Sequence, residues 1–341
     1  MKKFLIYISQ RYSIPIGRPL QAEIEVRGFE VAWFCDEEES KPYLSKVNLL
    51  NSVDEVMAYQ PDVVLVATNV VPDFFSGIKV QIFHGFSVGK RSKAKGHFNI
   101  RGFFDLYCTQ GESTTKPFLK LQKKHQYFEV VETGWSKVDP LFPLTPKREQ
   151  TKPTVIISST FTTNLSLAKN REVVEEIERL SKLGKYYFIS VLHPKMEQEI
   201  VKRFKNLQNK NFEFHDTTEL IPLFKRADVM LSDTTSAISE FILQKKPVVT
   251  INNNQPKPHL IDIKEASKIE ASLDYALRYP PKIMQEIDKF IAITHPYNDG
   301  KSSARVIDAC LDFLENKKIK RKPLNLIRRF KIRKKLGYFK I

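Results

Sequence analysis

Three short polar segments of this sequence have the residue types that bind phosphate groups and move protons. They are His84-Gly85, His193-Pro194 and Asp233-Thr234-Thr235-Ser236. An imidazole can accept a proton from a hydroxyl group near neutral pH, which is the task of a general base. Hydroxyl groups at a helix start, where backbone N–H groups are unpaired, suit an anion such as a phosphate. The three segments together indicate a site for a phosphorylated ligand.

The elements around the third segment make it the most informative. The apolar run 229–232 reads as a buried strand, and the apolar positions 238, 241 and 242 recur with the spacing of one helical face. The hydroxyl-rich turn therefore lies between a strand and a helix that Pro247 ends. Glu240 falls one turn into that helix, where it could bind ribose hydroxyls or orient a histidine. The alternative is that one of these residues only caps the helix, as Ser, Thr and Asp commonly do.

All three segments follow predicted strands in a chain that alternates strands and helices. Strands are predicted at 4–8, 30–35, 63–67, 79–83, 105–109, 129–132, 154–158, 186–192, 212–214 and 229–232. A Pro-rich stretch at 140–153 interrupts the pattern and reads as a linker. The sequence thus predicts an α/β protein with two doubly wound, Rossmann-like domains facing a cleft, residues 1–146 and 147–316. Ligands of such sheets bind beyond the carboxyl ends of the strands, where the polar segments fall.

Composition limits the functional classes. The chain has 341 residues, 42% of them apolar, and three cysteines too far apart for a zinc site or a disulfide framework, which fits a reducing cytoplasm. No Gly-rich nucleotide fingerprint is present, so a nicotinamide cofactor or a kinase-type ATP site is not expected. The N-terminal apolar run is too short for a signal peptide, and no window reaches the ~20 apolar residues of a membrane span. No cofactor is expected, although histidine-bearing strand ends could admit a loosely held divalent cation.

Positive charge is concentrated at the C-terminus. Residues 317–341 contain twelve Lys or Arg and no acidic residue, in a chain with a net charge of +16. Apolar residues are interleaved with these cations, and on a helical wheel they spread around the helix without forming one stripe. Such a segment can lie on an anionic membrane surface, bind nucleic-acid phosphate, or remain a solvated tail. We expect residues 317–341 to be a basic membrane-binding tail whose removal after Asn316 leaves a folded chain.

Five segments, in order between about residues 83 and 314, carry a family resemblance. The segment 83–90, Phe-His-Gly-Phe-Ser-Val-Gly-Lys, is similar to Trp-His-Gly-Thr-Pro-Leu-Lys, and His193-Pro194 matches His-Pro. The segment 233–236, followed by Glu240 and Lys246-Pro247, is similar to Asp-Tyr-Ser-Ser, an acidic residue and Lys-Pro. The segments 134–139 and 299–303 are similar to Gly-Tyr-Pro-Arg-Asn-Asp and Asp-Gly-Lys-Ala-Ser. The chain therefore resembles the CDP-glycerol glycerophosphotransferases, the teichoic-acid primases and polymerases.

The resemblance implies a GT-B fold in which the second domain holds the nucleotide. It implies an enzyme that moves a polyol phosphate, above all glycerol phosphate, from a CDP-alcohol to a hydroxyl acceptor of a teichoic-acid-like or capsule polymer, releasing CMP. The partners would be CDP-glycerol or a related CDP-alcohol, a polymer or lipid-linked acceptor and an anionic membrane surface, with no nucleic acid. Such an enzyme would be cytoplasmic and peripheral on the inner face of the cell membrane.

Roles for individual residues follow from the same comparison. His84 would be the general base for the acceptor hydroxyl, and His193 would neutralise the pyrophosphate oxygens. The expected substrate-binding residues are Gly85, Lys90, Arg91, Asp233, Thr234, Thr235, Ser236 and Glu240. Departures from the family pattern, such as Phe83 in place of Trp, leave the identity of the alcohol and the acceptor open. Two alternatives also remain, a GT-B glycosyltransferase that uses a nucleotide sugar and a basic nucleic-acid-binding protein.

Overall fold

The computed structural model of the protein describes residues 1–86, 96, 98–144, 151–316 and 320–339. The chain forms two compact units, the first made of residues 1–143 and 293–341 and the second of residues 144–292. Each unit is built on one parallel β-sheet with helices. The predicted α/β class and the two doubly wound domains are therefore confirmed.

The sheet of the first unit has seven parallel strands in the order β3-β2-β1-β4-β5-β6-β7. The strands are β1 (Lys3–Ile8), β2 (Glu30–Cys35), β3 (Leu49–Leu50), β4 (Val63–Val66), β5 (Ile78–Gln81), β6 (Leu106–Thr109) and β7 (Glu129–Glu132). All residues of β4 are buried, because the sheet is covered on both faces. The strand order reverses between β1 and β4, the place where doubly wound sheets bind ligands.

The sheet of the second unit has six parallel strands in the order β10-β9-β8-β11-β12-β13. The strands are β8 (Thr154–Ser159), β9 (Tyr187–Leu192), β10 (Phe212–Phe214), β11 (Val229–Ser232), β12 (Val248–Ile251) and β13 (Ile261–Ile263). Its order reverses between β8 and β11. The carboxyl ends of these two strands are therefore the expected ligand edge of this unit.

Eleven α-helices are found in the described part of the chain. They are α1 (Ile14–Val26), α2 (Val53–Tyr59), α3 (Glu112–His125), α4 (Arg171–Leu183), α5 (Gln198–Asn206), α6 (Ile221–Arg226), α7 (Ala237–Ile242), α8 (Ile269–Ala276), α9 (Pro281–Thr294), α10 (Ser302–Asn316) and α11 (Leu326–Leu336). None of the helices in these described ranges combines the length and the apolar character that crossing a bilayer requires.

Helix α1 begins at Ile14, so the Pro- and Gly-containing stretch before residue 20 forms its first six residues and Pro19 lies inside the helix. Pro15 lies in the first turn, where a backbone N–H has no helical partner to lose. Gly17 is required for packing, because a Cβ there would lie 2.3 Å from Cη2 of Trp33. Residues that read as a loop thus let the helix start close to the sheet.

The end of the predicted second domain is corrected by the structure. Residues 293–316 belong to the first unit, where α10 packs against α1. The first backbone N–H groups of α10, those of Ser302 and Ser303, donate to the carboxylate of Asp139 at 2.9 and 2.6 Å. A carboxylate from a distant segment thus caps this helix, which local sequence cannot reveal. The basic segment also folds onto the first unit, through α11.

Candidate active site

The turn that carries His84 is held in place from both sides. Phe83 has a φ of 57°, a left-handed conformation that is rare for a bulky residue and bends the chain beyond the end of β5. The Phe83 carbonyl accepts a hydrogen bond from Nε1 of Trp135 at 3.3 Å. The Gly85 carbonyl accepts one from Nε2 of Gln110 at 3.2 Å. A strained backbone that its surroundings fix in this way is typical of functional positions.

The half-buried imidazole of His84 is oriented as a general base requires. Its Nδ1 lies 3.2 Å from the carbonyl oxygen of Ala67, which follows β4. Because a carbonyl can only accept a hydrogen bond, Nδ1 carries the proton and the lone pair lies on Nε2. The ring centroid also lies 6.0 Å from that of Tyr12. The His84 ring is therefore held in a defined orientation at the ligand edge of the first sheet, and its role as general base stays a prediction.

Three predicted substrate-binding residues follow His84, and the structure describes one of them, Gly85. Gly85 adopts no left-handed conformation, and a Cβ built on it would have no neighbour within 4 Å among the described residues. The predicted role of Gly85 in substrate binding stays a prediction. The predicted substrate-binding residues Lys90 and Arg91 lie outside the described residues, and their roles remain predictions.

Asp233, at the end of β11, is an internal anchor. It is fully buried, and its carboxylate accepts from Ser159 Oγ at 2.6 Å, from the Thr160 N–H at 3.0 Å and from the Leu167 N–H at 3.0 Å. Burial raises the pKa of the Asp233 carboxyl, and these hydrogen bonds oppose the rise. Its oxygens hold the loop that follows β8, which supports a positioning role, and the predicted contact of Asp233 with substrate stays a prediction.

The three hydroxyl residues after Asp233 do lie at the start of a helix. Thr234 Oγ1 donates to Asn253 at 3.2 Å and accepts the N–H of Asn254 at 3.2 Å, which ties the turn to the end of β12. Thr235 Oγ1 accepts the N–H of Ala237 at 3.4 Å, while Ser236 is exposed at the N-cap position. Because α7 has only six residues, its dipole is small and the hydroxyl and N–H donors would carry any anion binding.

Glu240 lies in the first turn of α7, as predicted, and it is buried. Glu240 is therefore enclosed by the second unit, four positions after Ser236 in the sequence. The predicted contact of Glu240 with ribose hydroxyls stays a prediction.

His193 follows β9, and both its hydrogen bond and its pKa favour the neutral imidazole. Its Nδ1 accepts the backbone N–H of Lys195 at 3.0 Å, so its proton lies on Nε2. Burial, and secondarily the charge of Lys195, lowers the pKa of His193 to about 4. The predicted role of His193 at the pyrophosphate oxygens stays a prediction. In its neutral form this half-buried imidazole offers one hydrogen-bond donor, Nε2–H.

Ser159, which the sequence analysis missed, joins the two polar segments of the second unit. Its backbone carbonyl accepts the N–H of His193 at 3.2 Å, and its hydroxyl donates to Asp233. Both segments therefore meet at the end of β8, at the reversal of strand order. The loop beyond Ser159 lines a small cavity of about 170 Å³ together with Asn252. Three successive hydroxyl residues, 158–160, at the end of an apolar strand were the available signal.

Two of the five family-like segments, 134–139 and 299–303, form a structural joint within the first unit. Besides the cap that Asp139 makes on α10, the Trp135 N–H donates to Nε2 of His295 at 3.0 Å. Gly134 has a φ of 80°, and a Cβ there would lie 2.5 Å from Ser302 Oγ. Burial lowers the pKa of His295 to about 4, so it remains a neutral acceptor. These segments support the fold around the turn of His84.

Lys246, which matches the lysine of the Lys-Pro motif, is also used inside the second unit. Its ammonium donates to the carbonyl oxygen of Ala227 at 2.6 Å and to that of Phe224 at 3.2 Å. These carbonyls lie at the end of α6, where helical partners are missing. Lys246 therefore caps a helix. Across the described ranges, no three His, Cys, Asp or Glu side chains converge in the way a metal site needs.

Comparison with known proteins gives a family and a fold. The region 119–311, more than half of the chain, matches the family model described as UDP-N-acetylglucosamine 2-epimerase. The search of curated proteins gives no match. The chain is similar in structure to the wall teichoic acid polymerase TagF, with a TM-score of 0.66 and 11% identity over 92% of this chain and 89% of that one.

Two structures with bound uridine nucleotides are similar to a comparable extent. One is S. aureus MnaA with UDP, at a TM-score of 0.62 and 14% identity over 93% of this chain and 97% of that one. The other is the UDP-GlcNAc 2-epimerase from Neisseria meningitidis bound to UDP-GlcNAc. Its TM-score is 0.61 and its identity 15%, over 92% of this chain and 100% of that one. Identity this low establishes the fold alone, and the predicted GT-B-like architecture is thereby confirmed.

Proposed function

Because the chain belongs to the UDP-N-acetylglucosamine 2-epimerase family, we propose that it is an enzyme that binds a nucleotide-linked substrate at the strand ends of its second unit. We propose further that it transfers a polyol phosphate, above all glycerol phosphate, from a CDP-alcohol to a hydroxyl acceptor of a cell-envelope polymer. TagF, whose structures include a soak with CDPG, has the same fold and supports this choice.

The observation that carries the proposal is the complementary protonation of His84 and His193. His84 presents a lone pair on Nε2, while His193 presents a proton on Nε2. In the proposed reaction the acceptor oxygen attacks the β-phosphorus of the CDP-alcohol and gives its proton to Nε2 of His84. The bond between that phosphorus and the bridging oxygen breaks, and CMP leaves with the oxygen and its electron pair. His193 donates a hydrogen bond to the pyrophosphate, where charge develops.

The hydroxyl-bearing turn of the second unit would hold the donor phosphates. Thr234, Thr235 and Ser236 supply hydroxyl groups at the reversal of strand order, and the start of α7 adds backbone N–H groups. Asp233 holds the loop after β8 in position, because its carboxylate accepts hydrogen bonds from Ser159 and Thr160. Phosphoryl transfer needs mainly positioning and charge stabilisation, which such a cradle provides.

Epimerisation of a nucleotide sugar is the second candidate, and the family match favours it. That reaction needs a group that removes a proton from a sugar carbon, a task often given to a carboxylate. Two carboxylates of the first unit at or after strand ends, those of Asp36 and Glu132, have hydrogen-bond partners within that unit. Asp36 accepts from Tyr7 at 2.5 Å and from Lys335 at 2.7 Å, and Glu132 accepts from Thr115 at 2.5 Å. The similarity to TagF and the hydrogen bonds that orient each imidazole within its own unit support transfer as the first candidate.

The remaining parts of the proposal concern the acceptor and the place of reaction. A polymer or lipid-linked acceptor would be used at the inner face of the cell membrane, with the enzyme bound there peripherally. The basic segment after residue 316 supports this placement. A role as a nucleic-acid-binding protein is less well supported, because several cations of that segment are paired with acidic side chains of the first unit.

Ligand binding and product analysis test the proposal together. We expect CMP, CDP-glycerol or CDP-ribitol at millimolar concentration to raise the melting temperature more than UDP or UDP-GlcNAc does. With CDP-glycerol and a polyol-phosphate acceptor, phosphorus NMR should show CMP and a new phosphodiester. Stabilisation by UDP-GlcNAc alone, with an epimerised sugar as product, would instead establish the epimerase. No shift with any nucleotide would refute both.

A further inference from the structure

The C-terminal helix α11 is attached to the first unit by one of its faces. Ile332 is 7% exposed and packs into the core of the first unit, beside Leu336. Arg333 pairs with Asp73 at 3.1 Å, and Lys335 pairs with the buried Asp36. The positions 329, 332, 333 and 336 that face inward have helical spacing. Helix α11 is therefore part of the first unit and not a free tail.

Beyond the helix, the attachment continues at both ends of the described segment. Tyr338 stacks on Phe74 with ring centroids 4.3 Å apart, and Lys322 pairs with Asp105 at 2.7 Å. These contacts explain why the sequence showed no single apolar stripe. The segment has two apolar faces, and only one of them packs on the protein.

The opposite face of α11 combines exposed apolar and basic residues. Ile327 is 74% exposed and Phe330 is 59% exposed, and Lys331 and Lys334 lie beside them at the i, i+4 and i+7 positions. Phe339 is 57% exposed, and its ring centroid lies 6.4 Å from that of Phe330. We call Ile327, Phe330, Lys331, Lys334 and Phe339 the outer face.

The chemistry of the outer face matches one kind of partner. Large apolar side chains that are held out into water favour a hydrocarbon environment, and cations between them favour anionic headgroups. Residues 317–341 contain no acidic residue that would oppose such a surface. Nucleic-acid phosphate would use the lysines but would leave Ile327 and Phe330 in water. The combination fits the interfacial region of an anionic bilayer.

We infer that the outer face of α11 is the surface by which the first unit rests on an anionic lipid bilayer, with Ile327 and Phe330 entering the interface. The inference rests on the proposed function only for the reason why this protein would bind a membrane. Lipid binding itself needs no nucleotide. It differs from a flexible tether, because the ion pairs of Arg333 and Lys335 fix the helix to the body.

Vesicle co-sedimentation of the full chain tests the inference with a matched pair of variants. Lys331→Gln/Lys334→Gln removes two cations of the outer face, and Lys120→Gln/Lys124→Gln removes two exposed cations of α3 in the same unit. Each cation near an anionic surface contributes about fivefold in affinity. We expect the first variant to bind phosphatidylglycerol vesicles about 25-fold more weakly, and the second to bind like the wild type.

A fluorescence measurement separates insertion from simple charge attraction. Both native tryptophans, Trp33 and Trp135, are buried, so Phe330→Trp adds an exposed reporter. Its emission should shift to shorter wavelength with phosphatidylglycerol vesicles and stay unchanged with phosphatidylcholine vesicles. Equal loss of binding in both lysine variants, an unchanged emission, or self-association through the outer face in place of vesicle binding would overturn the inference. Nucleotide-induced stabilisation, measured separately, shows whether the proposed function stands.

Discussion

The attachment of α11 can be tested with two isoleucines of the same helix. Ile332 is 7% exposed and Ile327 is 74% exposed, although they are separated by little more than one turn. Replacing each by Ala removes the same atoms and gives the same gain in helix propensity. Any difference in stability between the two variants therefore reports burial.

The expected magnitudes follow from those exposures. Truncating a buried Ile to Ala costs roughly 2–4 kcal/mol, because transfer and cavity terms add. The same change at an exposed position stays within about 0.5 kcal/mol. For a unit of this size we expect Ile332→Ala to lower the melting temperature by roughly 5–10 °C. Ile327→Ala should melt like the wild type.

Tryptophan fluorescence is a suitable assay for this unit. The chain has two tryptophans, Trp33 and Trp135, and both are buried in the first unit. Thermal and urea unfolding followed by their emission thus report that unit alone. Equal melting temperatures for Ile332→Ala and Ile327→Ala would refute the docked position of α11.

The docked helix also revises the expectation that a chain ending at Asn316 folds unchanged. Such a truncation removes Ile332 and the cations that pair with Asp36, Asp73 and Asp105. A buried carboxylate without its partner costs free energy in addition to the lost apolar contact. We therefore expect the truncated chain to be less stable than Ile332→Ala in the same assay.

Three further predictions concern the candidate site. His84→Ala should lower turnover by ~10²-fold or more, as loss of a general base does, whereas His125→Ala on α3 should be near neutral in the same CMP-release assay. Gly85→Ala should keep the wild-type melting temperature, since its Cβ meets no described neighbour, but should weaken substrate binding in titration calorimetry. Because His193 and His295 have pKa values of about 4 against an ordinary 6.5, unfolding binds protons at acidic pH. The contribution of these two histidines to the urea midpoint should therefore fall as pH is lowered from about 6.5 to about 4.

Most strands could be predicted from the sequence because they are continuous apolar runs bounded by polar turns. The limits of β2, β7, β10 and β11 agree with the prediction, and the positions of His84 and His193 after strands follow from them. The capping box of Ser52 and Glu55 was also predictable, since both partners lie within one helical turn.

What could not be predicted depends on partners far away in the chain. The role of Asp233 is set by Ser159, 74 positions earlier, and the role of Asp139 by Ser302, 163 positions later. The tautomers of the two histidines depend on a backbone carbonyl and a backbone N–H that only the fold brings near. The two faces of α11 likewise become distinct only when one of them has a core to pack against.

The cap that Asp139 makes on α10 also has a consequence for synthesis of the chain. The first unit is discontinuous, since its closing contacts join segments 163 positions apart, whereas the second unit is one continuous stretch. During translation the second unit can fold as soon as it leaves the ribosome, while the first must wait for the last fifty or so residues. The nascent first unit therefore exposes the parts of α1 and β6 that α10 later covers while the second unit is made, and chaperone demand should be highest there.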